Sequence, residues 1–66
     1  MEKKIIDLIA DMRINGSTLS KIKDLVNMTK DFDKREMLRI ANALPTVVCS
    51  LYVLHMQNDY KIKINI

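Results

Sequence analysis

Residues 46–66 read TVVCSLYVLHMQNDYKIKINI, and this stretch decides which fold the sequence predicts. Its last part, Tyr60 to Ile66, alternates apolar and polar side chains with a period of two, which is typical of a β-strand with one buried face. A strand needs a ladder partner for its backbone N–H and C=O groups. Residues 46–56 are rich in β-branched and aromatic side chains that favour strands, and residues 57–59 are of turn-forming types. The end of the sequence therefore predicts a β-hairpin.

The sequence before this stretch predicts three helices. Apolar residues recur at helical spacing over residues 2–14 and again from Leu19 to about Met28 or Thr29, which indicates two amphipathic helices. Gly16 is expected to end the first helix, because glycine tolerates the left-handed backbone that closes a helix. Ser17 or Thr18 then offers a side-chain oxygen to the free N–H groups at the start of the second helix.

The third predicted helix has the best-marked boundaries. Asp33 and Glu36 have the spacing of a capping box, and Phe32 and Met37 are placed for a hydrophobic staple. Pro45 disfavours helix at the residue before it, so the third helix is expected to stop at Leu44. The prediction is an α+β fold, with three helices followed by a hairpin in one domain spanning residues 1–66. The alternative is an all-α helical hairpin, in which residues 33–56 form one helix kinked at the proline.

Length and residue types exclude most enzyme classes. A chain of 66 residues builds only a thin core, which rules out a domain-plus-lid enzyme or a doubly wound nucleotide fold. One glycine cannot form a glycine-rich phosphate loop, and His55 has no catalytic partner nearby in the sequence. Cys49 has no second cysteine to bind a metal with. We predict no enzyme activity, no cofactor and no metal site.

The sequence also bears on location. A small domain without a disulfide pair is typical of a reducing compartment, so a cytoplasmic protein is expected. Residues 40–58 contain no Asp, Glu, Lys or Arg, but polar side chains interrupt this segment and its apolar pieces are short. A spanning helix needs about 20 mostly apolar residues, so no membrane contact is predicted.

The net charge of +3 is unevenly distributed. Residues 1–33 contain six acidic and six basic side chains, whereas residues 34–66 contain two acidic and five basic ones, so the second half carries the whole excess (5 − 2 = +3). Such an asymmetry is typical of a surface that faces a polyanion. The alternative interpretation is a solvated face without a partner.

Three helices followed by a hairpin resemble the winged helix-turn-helix superfamily, over nearly the whole chain. The stretch from Ile5 to Ile9, followed by residues 15–19, is similar to that family's first helix and the start of its second. The cap-then-core spacing of its third helix is matched by Asp33, Met37, Ala41 and Leu44.

The resemblance implies a small protein that binds double-stranded DNA as a monomer or homodimer, as a transcriptional regulator or accessory factor. Its third helix would enter the major groove, where Arg39 can contact guanine and Asn42 can pair with adenine. In this interpretation Lys34 and Arg35 contact mainly phosphate, and the wing adds further contacts. The residues expected to contact DNA are Lys34, Arg35, Leu38, Arg39, Asn42, Lys61, Lys63, Ser17, Thr18 and Lys21.

Two alternatives of other classes remain at this point. Because fold does not fix function, the chain is also compatible with a small module that binds a protein partner and regulates or inhibits it. The all-α alternative would suit an oligomer that holds a small anionic ligand.

Overall fold

The computed structural model describes residues 2–64, and this part of the chain contains four helices. Helix α1 spans Lys3–Asn15, α2 spans Leu19–Thr29, α3 spans Lys34–Ala43 and α4 spans Thr46–Tyr60. Helix α4 packs against α2 and α3, and α1 packs against α2. Within residues 2–64, no helix combines the length and the apolar character needed to cross a lipid bilayer.

The predicted starts of α2 and α3 are confirmed by their caps. Thr18 Oγ1 accepts a hydrogen bond from the backbone N–H of Lys21 at 3.3 Å. Asp33 Oδ1 accepts one from the backbone N–H of Glu36 at 2.8 Å. Each side chain thus satisfies a backbone N–H that has no partner inside its helix. Gly16 closes α1 at φ 92°, a backbone conformation that favours glycine.

The predicted stop of α3 before Pro45 is also confirmed. Leu44 has φ −90° and ψ 153°, and Pro45 continues with ψ 151°, so two extended residues separate α3 from α4. The alternative of one helix kinked at this proline therefore has the right class, all-α, but the chain forms two separate helices here.

The prediction of an α+β winged fold is wrong. Residues 46–56 form most of α4 instead of the first hairpin strand, and residues 57–59 extend that helix instead of turning. No strand is present among residues 2–64. The physical reason lies in the burial pattern. Val48, Tyr52 and Met56 are buried, whereas Ser50 and Leu54, which a strand would place on the same face, are exposed, so the burial follows the period of a helix. This tertiary burial outweighs the strand preference of the β-branched residues.

Of the predicted second strand, Tyr60 belongs to α4, and residues 61–64 form a tail that is neither helix nor strand. Lys61 adopts the left-handed conformation at φ 58°, and the backbone N–H of Ile62 donates to Met56 O at 3.2 Å, which closes α4. The tail then alternates as the sequence suggested, since Lys63 is exposed and Ile64 is buried in the core. The last two residues of the predicted strand, 65 and 66, lie outside the described residues.

All four helices and the tail contribute to one apolar core. The side chains of Thr29 and Tyr52 add a polar contact inside it, which joins α2 to α4. The buried apolar residues are Ile5, Ile9, Met12, Ile22, Leu25, Val26, Met37, Ile40, Ala41, Leu44, Val48, Tyr52, Met56 and Ile64.

Candidate nucleic-acid interface

Three of the predicted DNA-binding cations meet at the start of α3. Lys34, Arg35 and Lys63 line a shallow depression of about 300 Å³. Leu38 and Ile64 line it as well and supply its apolar side. Lys34 and Arg35 belong to the first turn of α3, and the burial of Ile64 carries the tail back to that turn with Lys63 pointing outward.

A second depression extends this surface along the tail. Its volume is about 400 Å³, and Gln57, Lys61, Ile62 and Lys63 line it. Lys63 belongs to both depressions and therefore joins them. We call the four cations Lys34, Arg35, Lys61 and Lys63 the basic surface. None of the described residues that line the two depressions is acidic.

The two predicted base readers lie on the outward face of α3. Arg39 and Asn42 are exposed and follow Arg35 at helical spacings of four and seven. Leu38, predicted on or near the same outer face, is half-buried and packs against the core. Arg39 is not free of charge partners, because its Nη1 lies 2.7 Å from Glu36 Oε1, with 66% of the Arg39 side chain exposed. Asn42 lines a depression at the far end of α3 together with Arg13. Their roles as base readers stay predictions.

The three residues that were predicted to contact DNA at the start of α2 form bonds within the protein. Ser17 Oγ donates to Met12 O at 3.1 Å, and Thr18 caps α2. Lys21 Nζ lies 2.7 Å from Asp11 Oδ2 and also donates to Gly16 O at 3.3 Å. The hydrogen bond from Lys21 lowers the pKa of the Asp11 carboxyl below its ordinary value, with a second hydrogen bond from Asn15 acting in the same direction. The structure does not bring these three residues to the basic surface.

Arg13, for which the sequence pattern predicts no role, lies beside Ala43 of α3 in the fold. Arg13 lines an apolar depression of about 220 Å³ with Ile6, Ile9, Ala10 and Ala43. It also lies beside Ile14, whose side chain is exposed by 80%. Periodicity alone could not reveal this site, because it depends on how the ends of α1 and α3 meet in space.

The metal-ligating residue types do not cluster within residues 2–64. No group of three or more His, Cys, Asp or Glu side chains is close enough to hold a metal ion within residues 2–64. His55 Nδ1 lies 3.3 Å from Asp59 Oδ2, one helical turn away, and Cys49 is half-buried. What the surface offers is positive charge and exposed apolar side chains.

Comparisons with protein-family models, with curated proteins and with solved structures give no match to this chain.

Proposed function

We propose that the protein binds double-stranded DNA through the sugar–phosphate backbone, with the basic surface as its contact. The observation that carries the proposal is the position of Lys63, which joins Lys34 and Arg35 on one side to Lys61 on the other. Lysine and arginine side chains that neutralise phosphates release condensed counterions, which supplies most of the affinity of non-specific DNA binding.

The ion pair between Arg39 and Glu36 favours contacts with the DNA backbone over contacts with the bases. The Arg39 guanidinium is paired with Glu36, so a bidentate contact with guanine requires this pair to open. Lys34, Arg35, Lys61 and Lys63 form no ion pair among the described residues. Four phosphate contacts predict a slope of about −3.6 for log affinity against log salt concentration. A sequence-selective regulator needs base contacts in addition, for which Arg39 and Asn42 are the candidates.

The test is the salt dependence of duplex binding, measured by fluorescence anisotropy. The variant Lys34→Gln/Arg35→Gln removes two charges from the basic surface, and Lys3→Gln/Lys4→Gln is its control because it removes two exposed charges at the start of α1. We expect the first variant to reduce the salt slope by about 2 and the control to leave it nearly unchanged. Equal slopes for the two variants, or wild-type binding that does not respond to salt, would contradict the proposal.

This function implies a location where DNA is accessible. A cytoplasmic, reducing compartment suits it and agrees with a chain whose single cysteine has no pairing partner.

Binding of a protein partner is a second candidate, favoured by the apolar surface beside Arg13. Ile6 and Ile14 are both at least half exposed, and a depression lined by Ile9, Ala10 and Ala43 lies next to them. Exposed apolar surface that is rimmed by polar residues is typical of protein-binding sites. In this case Ile14→Glu would abolish binding of the partner while the salt dependence of duplex binding stays as in the wild type.

A further inference from the structure

Lys63 has few attachments of its own, although it joins the two sides of the basic surface. It is exposed and forms no ion pair among the described residues. The nearest backbone hydrogen bond of the tail joins Ile62 N–H to Met56 O, and none within residues 2–64 attaches Lys63 or Ile64. The place of Lys63 therefore depends on the side chains that flank it.

Ile64 is the flanking side chain that is held most firmly. Only 5% of it is exposed, and it belongs to the core that all four helices share. Ile62, on the other side of Lys63, is half-buried and packs against the same core. Ile64 also lines the depression that contains Lys34 and Arg35, so its point of entry into the core adjoins these cations. The burial of Ile64 is therefore the contact that brings the tail to the start of α3.

The charges around this contact oppose it. Lys63 shares a depression of about 300 Å³ with Lys34 and Arg35, and no described residue that lines it is acidic. Like charges repel one another, and the repulsion between exposed charges grows as the salt concentration falls. The free energy of apolar burial does not depend on the sign of these charges, so Ile64 can hold the tail against them. Without Ile64 in the core, the repulsion would move Lys63 away from α3.

We infer that Ile64 is a positioning residue for the DNA contact: its burial in the core holds Lys63 between Lys61 and the first turn of α3. The inference rests on the proposed function and extends it to a residue that is itself buried. A detached tail would keep the charge of Lys63, but a phosphate contact would then have to order the tail, and the lost chain entropy opposes binding. Docking of the tail and binding of DNA are therefore coupled.

The test measures the order of the tail and the binding of DNA separately. NMR relaxation gives the order parameter of the Lys63 backbone amide, which is about 0.85 in a rigid chain and below about 0.6 in a flexible one. Fluorescence anisotropy gives the salt slope of duplex binding. In Ile64→Ala we expect a flexible Lys63 amide and a salt slope reduced by about 1, which corresponds to the loss of one phosphate contact.

Two further variants are controls. Val48→Ala shortens a core residue of α4 with a similar exposure, 8%, and should leave the Lys63 amide rigid and the salt slope unchanged. Ile64→Val keeps most of the apolar side chain and should bring both measurements back toward the wild type. Circular dichroism checks that each variant keeps its helix content. If Ile64→Ala does not fold, Ile64→Thr replaces it, because threonine keeps the shape of valine and adds a hydroxyl that opposes burial.

A double variant shows whether Ile64 acts through Lys63. Lys63→Gln alone should reduce the salt slope by about 1. Lys63→Gln/Ile64→Ala should also reduce it by about 1, because the detached tail has no second phosphate contact to lose. A general weakening of the fold would instead lower the affinity by the same factor in both backgrounds.

Two results would overturn the inference alone while wild-type binding stays salt-dependent: a Lys63 amide that remains rigid in Ile64→Ala, or a flexible one with an unchanged salt slope. A reduction of about 2 in the double variant would also overturn it, since Ile64 would then act independently of Lys63. Wild-type binding that does not respond to salt would contradict the proposed function itself, and the inference with it.

Discussion

The hydroxyl oxygens of Thr29 and Tyr52 lie 2.7 Å apart inside the core and connect α2 to α4. Both side chains are fully buried. Thr29 Oγ1 also donates to Leu25 O at 2.8 Å, and because a threonine hydroxyl has one hydrogen, Tyr52 must be the donor in the contact between the two hydroxyls. The contact lies on the side of α4 that faces the core, together with Val48 and Met56.

This donor assignment predicts unequal costs for removing either partner. Tyr52→Phe loses one hydrogen bond and leaves Thr29 bonded to Leu25, which should lower the free energy of unfolding by about 1 kcal/mol. Thr29→Val leaves the buried Tyr52 hydroxyl without an acceptor and should cost roughly 1 to 3 kcal/mol. Urea unfolding followed by circular dichroism measures both.

The double variant is the control for this pair. Because Thr29→Val/Tyr52→Phe leaves neither hydroxyl unsatisfied, it should cost less than the sum of the two single changes. Strict additivity would show that the two hydroxyls do not interact in solution.

The raised pKa of Tyr52 leads us to predict a loss of stability at alkaline pH. Burial raises the pKa of Tyr52 above its ordinary value of 10.0. The folded state therefore holds the phenol proton at a pH where the unfolded chain has released it. The contribution to stability is complete below the unfolded pKa and is lost as pH rises through the folded pKa.

The measurement compares wild type and Tyr52→Phe by urea unfolding at about pH 8 and about pH 11, on either side of the ordinary tyrosine pKa. The stability advantage of the wild type should shrink at the higher pH, since only the wild type has this proton to lose. Effects of pH that are common to the two proteins cancel in the difference. An advantage that stays constant would contradict the assignment.

Two variants of Asp33 distinguish the effect of the helix cap on stability from the effect of charge on DNA binding. Asp33→Ala removes the cap and should cost about 1 kcal/mol of unfolding free energy, whereas Asp33→Asn keeps an oxygen that can accept from Glu36 N–H. Both variants remove a negative charge next to Lys34, so both should bind duplex DNA a few-fold more tightly at low salt. Asp7→Asn, an exposed change on α1, is the charge control. A gain as large in Asp7→Asn would show a general charge effect instead of a local one.

Local signals in the sequence were enough to predict α1, α2 and α3. Thr18 and Asp33 make their cap bonds within three residues, and Pro45 acts on the residue beside it, so neighbours along the chain determine these boundaries. The outward positions of Lys34, Arg35 and Arg39 followed from the same helical spacing.

Helix α4 and the surface it creates could not be predicted in this way. The apolar side chains of α4 itself point to nearly all sides of the helix, so residues 46–56 show no clear period of 3.6. Their β-branched content favoured a strand. What decides the structure is the long-range packing of Val48, Tyr52 and Met56 in the common core. The meeting of Lys63 with Lys34 and Arg35 depends in turn on how Ile64 enters the core.

Lys61 gives a prediction in which stability and binding change in opposite directions. Its left-handed backbone at φ 58° is unfavourable for any residue with a Cβ, so Lys61→Gly should stabilise the fold by about 1 kcal/mol. The same change removes a cation from the basic surface and should reduce the salt slope of duplex binding by about 1. Lys61→Ala is the matched control, because it loses the charge but keeps the strain, and should show the binding defect without the gain in stability. Unchanged duplex binding by both variants would remove Lys61 from the interface and leave Lys34, Arg35 and Lys63 to carry it.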